Sequence, residues 1–215
     1  MSSLGQGDHV CTVYESPEQQ LRVIAQYIKA GLHCGERCLY IVDDRSTDDV
    51  LDALHAAGVD PATTRDSRRL ILLTKRETYL QRGSFDPNAM IWSLAAMADQ
   101  AVADGCSGLR VTGEMTWALG PETGSDQLIE YETRLNEFFP GSRAHAICQY
   151  NRTRFPSSMI RDVLRMHPLA LVGEYLHANP YYEPPEIARL PVDHPNRLDH
   201  MLAQIERSET GGPDT

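Results

Sequence analysis

Acidic, aromatic and basic side chains recur at the points where short apolar segments of the sequence end. Tyr14, Asp43, Glu114 and Tyr150 each end or directly follow such a segment, and Arg154 comes four residues after the last of them. The carboxyl ends of parallel strands meet along one edge of a sheet, where α/β proteins bind their ligands. Charged groups can orient a ligand there, and aromatic rings can give it apolar contact. These residue types predict a ligand pocket with a polar, charge-rich edge and aromatic walls.

Each of these residues also has a purely structural interpretation. A carboxylate after a strand commonly caps the next helix or pairs with an arginine, and this interpretation is favoured for Asp43. Glu114 differs because it lies between Gly113 and Trp117 with no helix start directly behind it, so we assign it a binding role. Trp117 fits the wall of a pocket and the core equally well. All of them are kept as candidates for ligand binding.

His9 and Cys11 are secondary ligand-binding candidates, because alternate residues of a strand point to the same face. The pair has donor atoms suited to a ligand or a soft metal ion, although a packed histidine beside a buried thiol is the simpler interpretation. The His33, Cys34 and Cys38 group does not predict a zinc site, which needs four converging ligands, since Cys38 begins a buried strand. We therefore expect no metal and no cofactor.

The turn after the first strand argues against the common nucleotide-binding chemistry. A phosphate-binding loop places glycines and a lysine at this position. This chain has Tyr14-Glu15-Ser16-Pro17-Glu18 instead, with two carboxylates and a proline that has no N–H. The sequence also contains neither a G-x-S-x-G nor an H-E-x-x-H motif. We expect no catalytic residues.

Alternating strands and helices must position these groups. Six strands are predicted at residues 9–14, 38–42, 70–74, 109–112, 145–150 and 169–176. Helices are predicted at residues 17–31, 47–58, 87–104, 125–139, 157–166 and 200–207. The alternation predicts a three-layer α/β fold, with a mainly parallel central sheet and helices on both faces.

Composition and charge narrow the class of protein. The chain has 215 residues, of which 41% are hydrophobic, and a formal net charge of -10. This acidic balance disfavours direct nucleic-acid binding, which depends on lysine and arginine. No apolar run is long enough for a membrane span, and the five cysteines have irregular spacing, so we expect a cytoplasmic protein with free thiols. Residues 1–185 are predicted to form one domain, and 186–215 a C-terminal extension or connector that is disordered from Ser208 onward.

Several segments together resemble one known family. They are GDHVCTVYES at 7–16, CLYIVDD at 38–44, LRVTGEMTW at 109–117, CQYNRTRF at 148–155 and the His167-Pro168 pair. In this order and spacing they resemble the MEDS domain, the methanogen/methylotroph DcmR-type sensory domain, over residues 5–183. The resemblance implies a fold related to KaiC-like and RecA-like ATPases in which the phosphate loop has been lost.

The resemblance also implies a function. Domains of this family accompany DNA-binding or histidine-kinase modules and are proposed to sense simple hydrocarbon derivatives. We therefore predict a non-catalytic small-molecule sensory domain in prokaryotic signal transduction or transcription regulation. Its expected partners are a small organic ligand and a protein partner or output domain, which would be a kinase, an anti-sigma factor or a DNA-binding module. A homodimer is also possible, and no membrane partner is expected.

Three alternatives stay open. The chain could be a protein-interaction module that acts without a ligand, through its acidic surface. It could be a degenerate relative of the ATPases that still binds a nucleotide by another route, or an enzyme of unrecognised type. The sequence shows no helix-turn-helix pattern and no kinase motif, which leaves the route of its output open.

Overall fold

The structure of the protein is a computed structural model, which describes residues 4–121 and 123–210. The strands in the described residues are β1 (His9–Tyr14), β2 (Arg37–Val42), β3 (Leu70–Thr74), β4 (Leu109–Glu114), β5 (Ala144–Asn151), β6 (Leu169–Val172) and β7 (Tyr175–Ala178). The α-helices are α1 (Pro17–His33), α2 (Thr47–Ala56), α3 (Pro61–Asp66), α4 (Pro87–Ala103), α5 (Leu128–Phe138), α6 (Ser157–Met166), α7 (Pro185–Ala188) and α8 (Pro195–Thr210).

The described strands form one sheet in the order β3-β2-β4-β5-β1-β6-β7. Every neighbouring pair is parallel except β6 and β7, which are antiparallel. Alternation along β2 divides the core into two layers: Leu39 and Ile41 pack on the side of α4, α5 and α6, while Tyr40 and Val42 pack on the side of α1 and α2. We call these sides the α5 face and the α1 face. The predicted three-layer α/β fold is confirmed.

Helix α1 is longer than predicted, although its start is as expected. The Ser16 hydroxyl accepts a hydrogen bond from a backbone N–H of the first turn. The helix continues past Gly31 to His33, and Gly35 follows it in the left-handed conformation, with φ +80°. Gly31 has a packing role instead, since a Cβ there would lie 2.4 Å from the Arg110 side chain.

The largest difference from the sequence prediction is at the end of the sheet. The predicted single strand over 169–176 is a hairpin of β6 and β7, which reverses at Gly173 with φ +61°. Helix α3 was also not predicted. Strand β4 extends two residues beyond its predicted end, so that Glu114 is its last residue rather than part of a loop.

The C-terminal extension is helical for much of its length. Helix α8 replaces the shorter helix predicted at 200–207 and includes residues 208–210, while residues 211–215 lie outside the described part of the chain. His200 and Gln204 connect this helix to the domain, since both side chains bond to the backbone carbonyl of Tyr182. Across the described residues, every helix is too short or too polar to span a bilayer.

Candidate functional site

The carboxyl edge of the sheet is organised around the buried side chain of Glu114. Its Oε2 accepts hydrogen bonds from the backbone N–H groups of Asp43, Asp44 and Arg45, at 2.9 Å for the first and the last. Its Oε1 accepts a hydrogen bond from the Tyr40 hydroxyl at 2.8 Å. Burial raises the pKa of Glu114, and the donated hydrogen bonds oppose that rise. The carboxylate therefore holds the β2–α2 loop in place from inside.

Charged side chains surround the two aspartates of that loop. Asp43 pairs with Lys75 Nζ at 2.8 Å and accepts a hydrogen bond from the Thr116 hydroxyl at 2.7 Å. Arg154 forms an ion pair with Asp44. Asp43 does not cap α2, because Ser46 occupies that position with a complete capping box. Asp43 and Arg154, both candidates from the sequence, thus lie at the same edge, where Arg154 contacts Asp44 and Asp43 contacts Lys75.

Three buried polar atoms at this edge have no hydrogen-bond partner among the described residues. They are Tyr14 Oη, Asp44 Oδ2 and Arg45 Nε. Burial raises the pKa of Tyr14, and the nearby Glu114 and Asp44 carboxylates raise it further. Buried polar atoms nearly always have a partner in folded proteins. Each of these three atoms is therefore a candidate for contact with a ligand or an ordered water molecule.

The turn between β1 and α1, next to this edge, uses its own backbone donors. The Glu15 N–H donates to Gln19 Oε1 at 3.0 Å, and the Gln19 N–H donates to Ser16 Oγ at 3.3 Å. Pro17 begins the helix and has no N–H to offer. Few backbone donors are therefore left at this turn for a phosphate group.

Trp117 lies away from these groups, in an aromatic cluster of the core. Its ring stacks on Tyr79, with the centroids 4.8 Å apart, and lies 4.3 Å from the ring of Phe85. Tyr131 packs edge-on against both Tyr79 and Phe85. Trp117 is fully buried, and its Nε1 has no partner among the described residues. In this structure it is part of the α5 face of the core.

Two other predicted site residues, His9 and Tyr150, meet in a second cluster on the α5 face. Glu132 of α5 is its centre, with Oε2 at 3.0 Å from His9 Nε2 and 3.2 Å from His167 Nε2. Cys148 Sγ lies 3.6 Å from that oxygen and 3.6 Å from His9 Nε2. The Tyr150 hydroxyl donates to Glu132 Oε1. We call Glu132, His9, Cys148 and His167 the Glu132 cluster; all four are buried.

The interior location shifts the ionisation of this cluster. Burial and the charge of His167 lower the pKa of His9. Burial alone would raise the pKa of Glu132, but the charge and hydrogen bonds of His167 and His9 outweigh it and hold that pKa well below its usual range. Burial and the Glu132 carboxylate raise the pKa of the Cys148 thiol well above its usual value.

Cys11 lies beside this cluster without joining it. It is paired in register with Cys148 across β1 and β5, and its thiol points to the Leu169 carbonyl oxygen at 3.8 Å. Burial, followed by the charge of Glu132, raises the pKa of this thiol to about 12. Cys11 is therefore an unreactive thiol in the core.

Sequence analysis missed Glu132, Cys148 and His167 as site residues. A signal for Glu132 was present, because it lies four residues after Leu128 and three before Leu135, on the apolar side of α5. A carboxylate on such a face needs partners in the core. Its partners His9, Cys148 and His167 are more than ten residues distant in the chain, although each falls in one of the segments that resemble the family.

Comparisons with known proteins agree with this fold. The model of the family described as MEDS, the MEthanogen/methylotroph, DcmR Sensory domain, matches residues 8–168. The transcriptional repressor DcmR of Methylorubrum extorquens is 28% identical over 162 residues, which are 74% of this chain and 58% of the repressor. The chain thus spans less than two thirds of the length of that relative. The Glu132 cluster and the carboxyl edge both lie within the family match.

Solved structures resemble the chain in fold at low sequence identity. The flagellar accessory protein FlaH from Methanocaldococcus jannaschii has a TM-score of 0.54 and 11% identity, over 80% of this chain and 76% of its own. A KaiC-like protein from Pyrococcus horikoshii has a TM-score of 0.52 and 12% identity, over 77% of this chain and 70% of its own. At these identities the likeness establishes a KaiC-like fold and nothing about activity.

Proposed function

The chain belongs to the MEDS family of sensory domains, and we propose that it is a non-catalytic input domain that binds a small organic molecule at the carboxyl edge of its sheet. Family membership supports a sensory role in regulation. The similarity to a transcriptional repressor supports transcription as the process regulated. A cytoplasmic location is part of the same proposal.

The observation that carries the proposal is the set of unpartnered atoms Tyr14 Oη, Asp44 Oδ2 and Arg45 Nε. They lie at the edge where open α/β sheets bind their ligands. Tyr14 and Arg45 have hydrogens to donate, whereas the Asp44 carboxylate can only accept. A ligand that satisfies all three must both accept and donate hydrogen bonds. A small alcohol or another hydroxylated hydrocarbon derivative has this character.

The charges at the edge favour a neutral ligand. Asp43 is paired with Lys75, and Asp44 with Arg154, while Glu114 is held by backbone N–H groups. A strongly anionic ligand would have to compete with these carboxylates for Lys75 and Arg154. This arrangement supports the absence of nucleotide binding in our proposal.

The output of such a sensor would pass through the C-terminal extension. We retain residues 1–185 as the sensory domain and 186–215 as the connector. Helix α8 has an apolar stripe that is more than half exposed, formed by Leu198, Met201, Leu202 and Ile205. Such a stripe can pack on a second copy of the chain or on an output module such as a kinase, an anti-sigma factor or a DNA-binding domain.

A thermal-shift screen of small alcohols, amides and other hydrocarbon derivatives tests the proposal. A ligand at 100 times its Kd stabilises the folded state by about 2.7 kcal/mol. For a domain of this size that corresponds to a rise in Tm of about 5–10 °C. We expect the rise to be lost in Tyr14→Phe and Arg45→Met. It should persist in the exposed controls Tyr181→Phe and Arg22→Met.

Two results would contradict this assignment. A ligand that stabilises Tyr14→Phe and Arg45→Met as well as the parent protein binds elsewhere. A flat screen combined with stabilisation by Mg-ATP would favour a nucleotide-binding relative of the ATPases instead.

A second candidate function is a protein-interaction module that needs no ligand. The exposed apolar stripe of α8 is the observation that favours it. In that case Met201→Glu and Leu202→Glu should abolish capture of a regulatory partner, while Tyr14→Phe should leave it unchanged.

A further inference from the structure

We propose that the Glu132 cluster binds one divalent transition-metal ion of the zinc class, through His9 Nε2, His167 Nε2, Glu132 Oε2 and Cys148 Sγ. The four donor atoms lie within 4.8 Å of one another. Imidazole, carboxylate and thiolate are all ligands that zinc accepts. The proposal concerns residues other than those at the carboxyl edge, and it stands or falls independently of the proposed function.

The spacing of the donor atoms matches a tetrahedral site. Zinc bond lengths to nitrogen, oxygen and sulfur set N···O edges of about 3.3 Å, and S···N and S···O edges of about 3.6 Å. The N···O distances from Glu132 are 3.0 Å to His9 and 3.2 Å to His167. The Cys148 sulfur lies 3.6 Å from both His9 Nε2 and Glu132 Oε2. Four of the six edges thus match a tetrahedron, and the two that join His167 to His9 and to Cys148 are at most 4.8 Å long.

Both histidines are oriented as metal ligands usually are. His9 Nδ1 lies 2.9 Å from Asn136 Oδ1, and His167 Nδ1 lies 2.8 Å from the Val163 carbonyl oxygen. The Asn136 amide nitrogen donates to two backbone carbonyls, so its oxygen is the atom that faces His9. Each Nδ1 therefore donates its hydrogen to an oxygen, and the Nε2 lone pair of each neutral ring points into the cluster.

An ion resolves the interactions that the protein leaves incomplete. His167 Nδ1 is used by the Val163 carbonyl, so Nε2, 3.2 Å from the carboxylate oxygen, can donate to it only when the ring is protonated. The salt bridges of Glu132 in the described chain are with histidines, and none is with lysine or arginine. A buried carboxylate without a permanent cation is costly.

The charges also balance. A divalent ion with one carboxylate, one thiolate and two neutral imidazoles gives a site of zero net charge, which suits a dry core. Binding requires the Cys148 thiol to lose its proton, which passes to solvent as the ion enters.

The ion would connect four parts of the fold. Its ligands come from β1, α5, β5 and the residue that follows α6. It would hold α5 and α6 against the sheet, directly before the β6–β7 hairpin and the C-terminal extension. Binding should therefore stabilise the whole domain.

The test uses the full chain in a Cys34→Ser background, which removes an exposed thiol next to His33 that could bind ions adventitiously. The protein is stripped with a chelator and titrated with Zn²⁺ and with Co²⁺. We expect one ion per chain by native mass spectrometry and a rise in Tm. With cobalt we expect the charge-transfer absorption of a metal–thiolate bond.

Matched variants locate the site. Cys148→Ser should lose the cobalt–thiolate absorption, whereas Cys38→Ser, which removes a buried thiol on the α1 face, should keep it. Asn136→Ala should weaken zinc binding about 10–100-fold, as is usual for a group that supports a ligand. His167→Gln should weaken it more than that.

Several outcomes would overturn the proposal. Zinc that binds only when Cys34 is present is an adventitious ion. Unchanged zinc affinity in Cys148→Ser places the ion elsewhere. If Cys148→Ser does not fold, the measurement on the Cys34→Ser protein alone tests the proposal. If that folded chain binds no ion, or binds cobalt without thiolate absorption, the cluster is a metal-free hydrogen-bonded group.

Discussion

Glu36 and Glu132 are both buried carboxylates, on opposite faces of the sheet, but different groups surround them. Glu36 pairs with Arg110 Nε at 2.6 Å and with His145 Nε2 at 3.1 Å, beneath α1. Arg110 also lies 4.4 Å from the centre of the Tyr27 ring. Glu132 faces histidines, a thiol and a tyrosine hydroxyl, which carry a positive charge only if a histidine is protonated.

The two clusters differ in whether the buried carboxylate has a permanently charged partner. Arginine is always protonated in proteins, so the charge of Glu36 is balanced in every state of the molecule. The Glu132 cluster has ligand atoms where the Glu36 cluster has a fixed cation. The fold thus uses one carboxylate for stability and, by our inference, the other for binding.

Removal of the fixed cation should have the largest effect. Arg110→Met leaves the Glu36 carboxylate buried without its main partner, and we expect a loss of about 3–5 kcal/mol in the free energy of unfolding. Urea denaturation measures it. Arg152→Met, which removes an exposed pair with Glu15, should cost only about 0.2–1 kcal/mol. Similar small losses in both variants would show that Glu36 does not depend on Arg110.

The second prediction concerns Glu132, whose carboxylate should be required for the stabilisation of the folded state by zinc. Zinc at 100 times its Kd should stabilise the parent protein by about 2.7 kcal/mol and leave Glu132→Gln unchanged. Glu36→Gln, on the opposite face, should keep the zinc response. Thermal unfolding with and without zinc measures both. An equal zinc response in Glu132→Gln and the parent would remove the distinction between the two carboxylates.

Glu114 is a third buried carboxylate, and its main partners are backbone N–H groups. In Glu114→Gln one acceptor oxygen becomes an NH₂ group that faces other donors, so we expect a loss of about 2 kcal/mol. Glu77→Gln is the exposed control, because Glu77 also accepts a backbone N–H, from Thr74. Denaturant unfolding of the two variants should separate them clearly. A loss as small as that of the control would mean that the β2–α2 loop is held by other contacts.

The smallest expected effect is the contribution of the Glu36 ionisation to the pH dependence of the free energy of unfolding. Burial alone would raise the pKa of Glu36, but His145 and Arg110 outweigh it and the pKa is lowered from 4.5. The stabilisation from this ionisation is complete above pH 4.5 and is lost as the pH falls through the lowered folded value. Glu36→Gln should therefore lose less stability than the parent between pH 5 and pH 3. An acid profile of Glu36→Gln identical to that of the parent would contradict this assignment.

Much of the fold could be predicted because its signals are local. Ser16 before Pro17 marks the start of α1, and the apolar runs mark the strands. The hairpin at Gly173 was missed because its two short strands and their turn form a single stretch in the sequence. The carboxyl edge was partly predictable, since Asp43 and Glu114 follow from the rule that ligands bind at the ends of parallel strands.

The sequence by itself determined the class of fold, the acidic turn without glycine or lysine after β1, and the residues at the carboxyl edge. These depend on periodicity and on neighbours within a few positions. Tertiary structure alone decided which polar groups meet in the core. His9, Glu132, Cys148 and His167 are brought together because β1 lies beside β5 while α5 and α6 pack over them on one face. No local pattern encodes that meeting, since it depends on the order of the strands in the sheet.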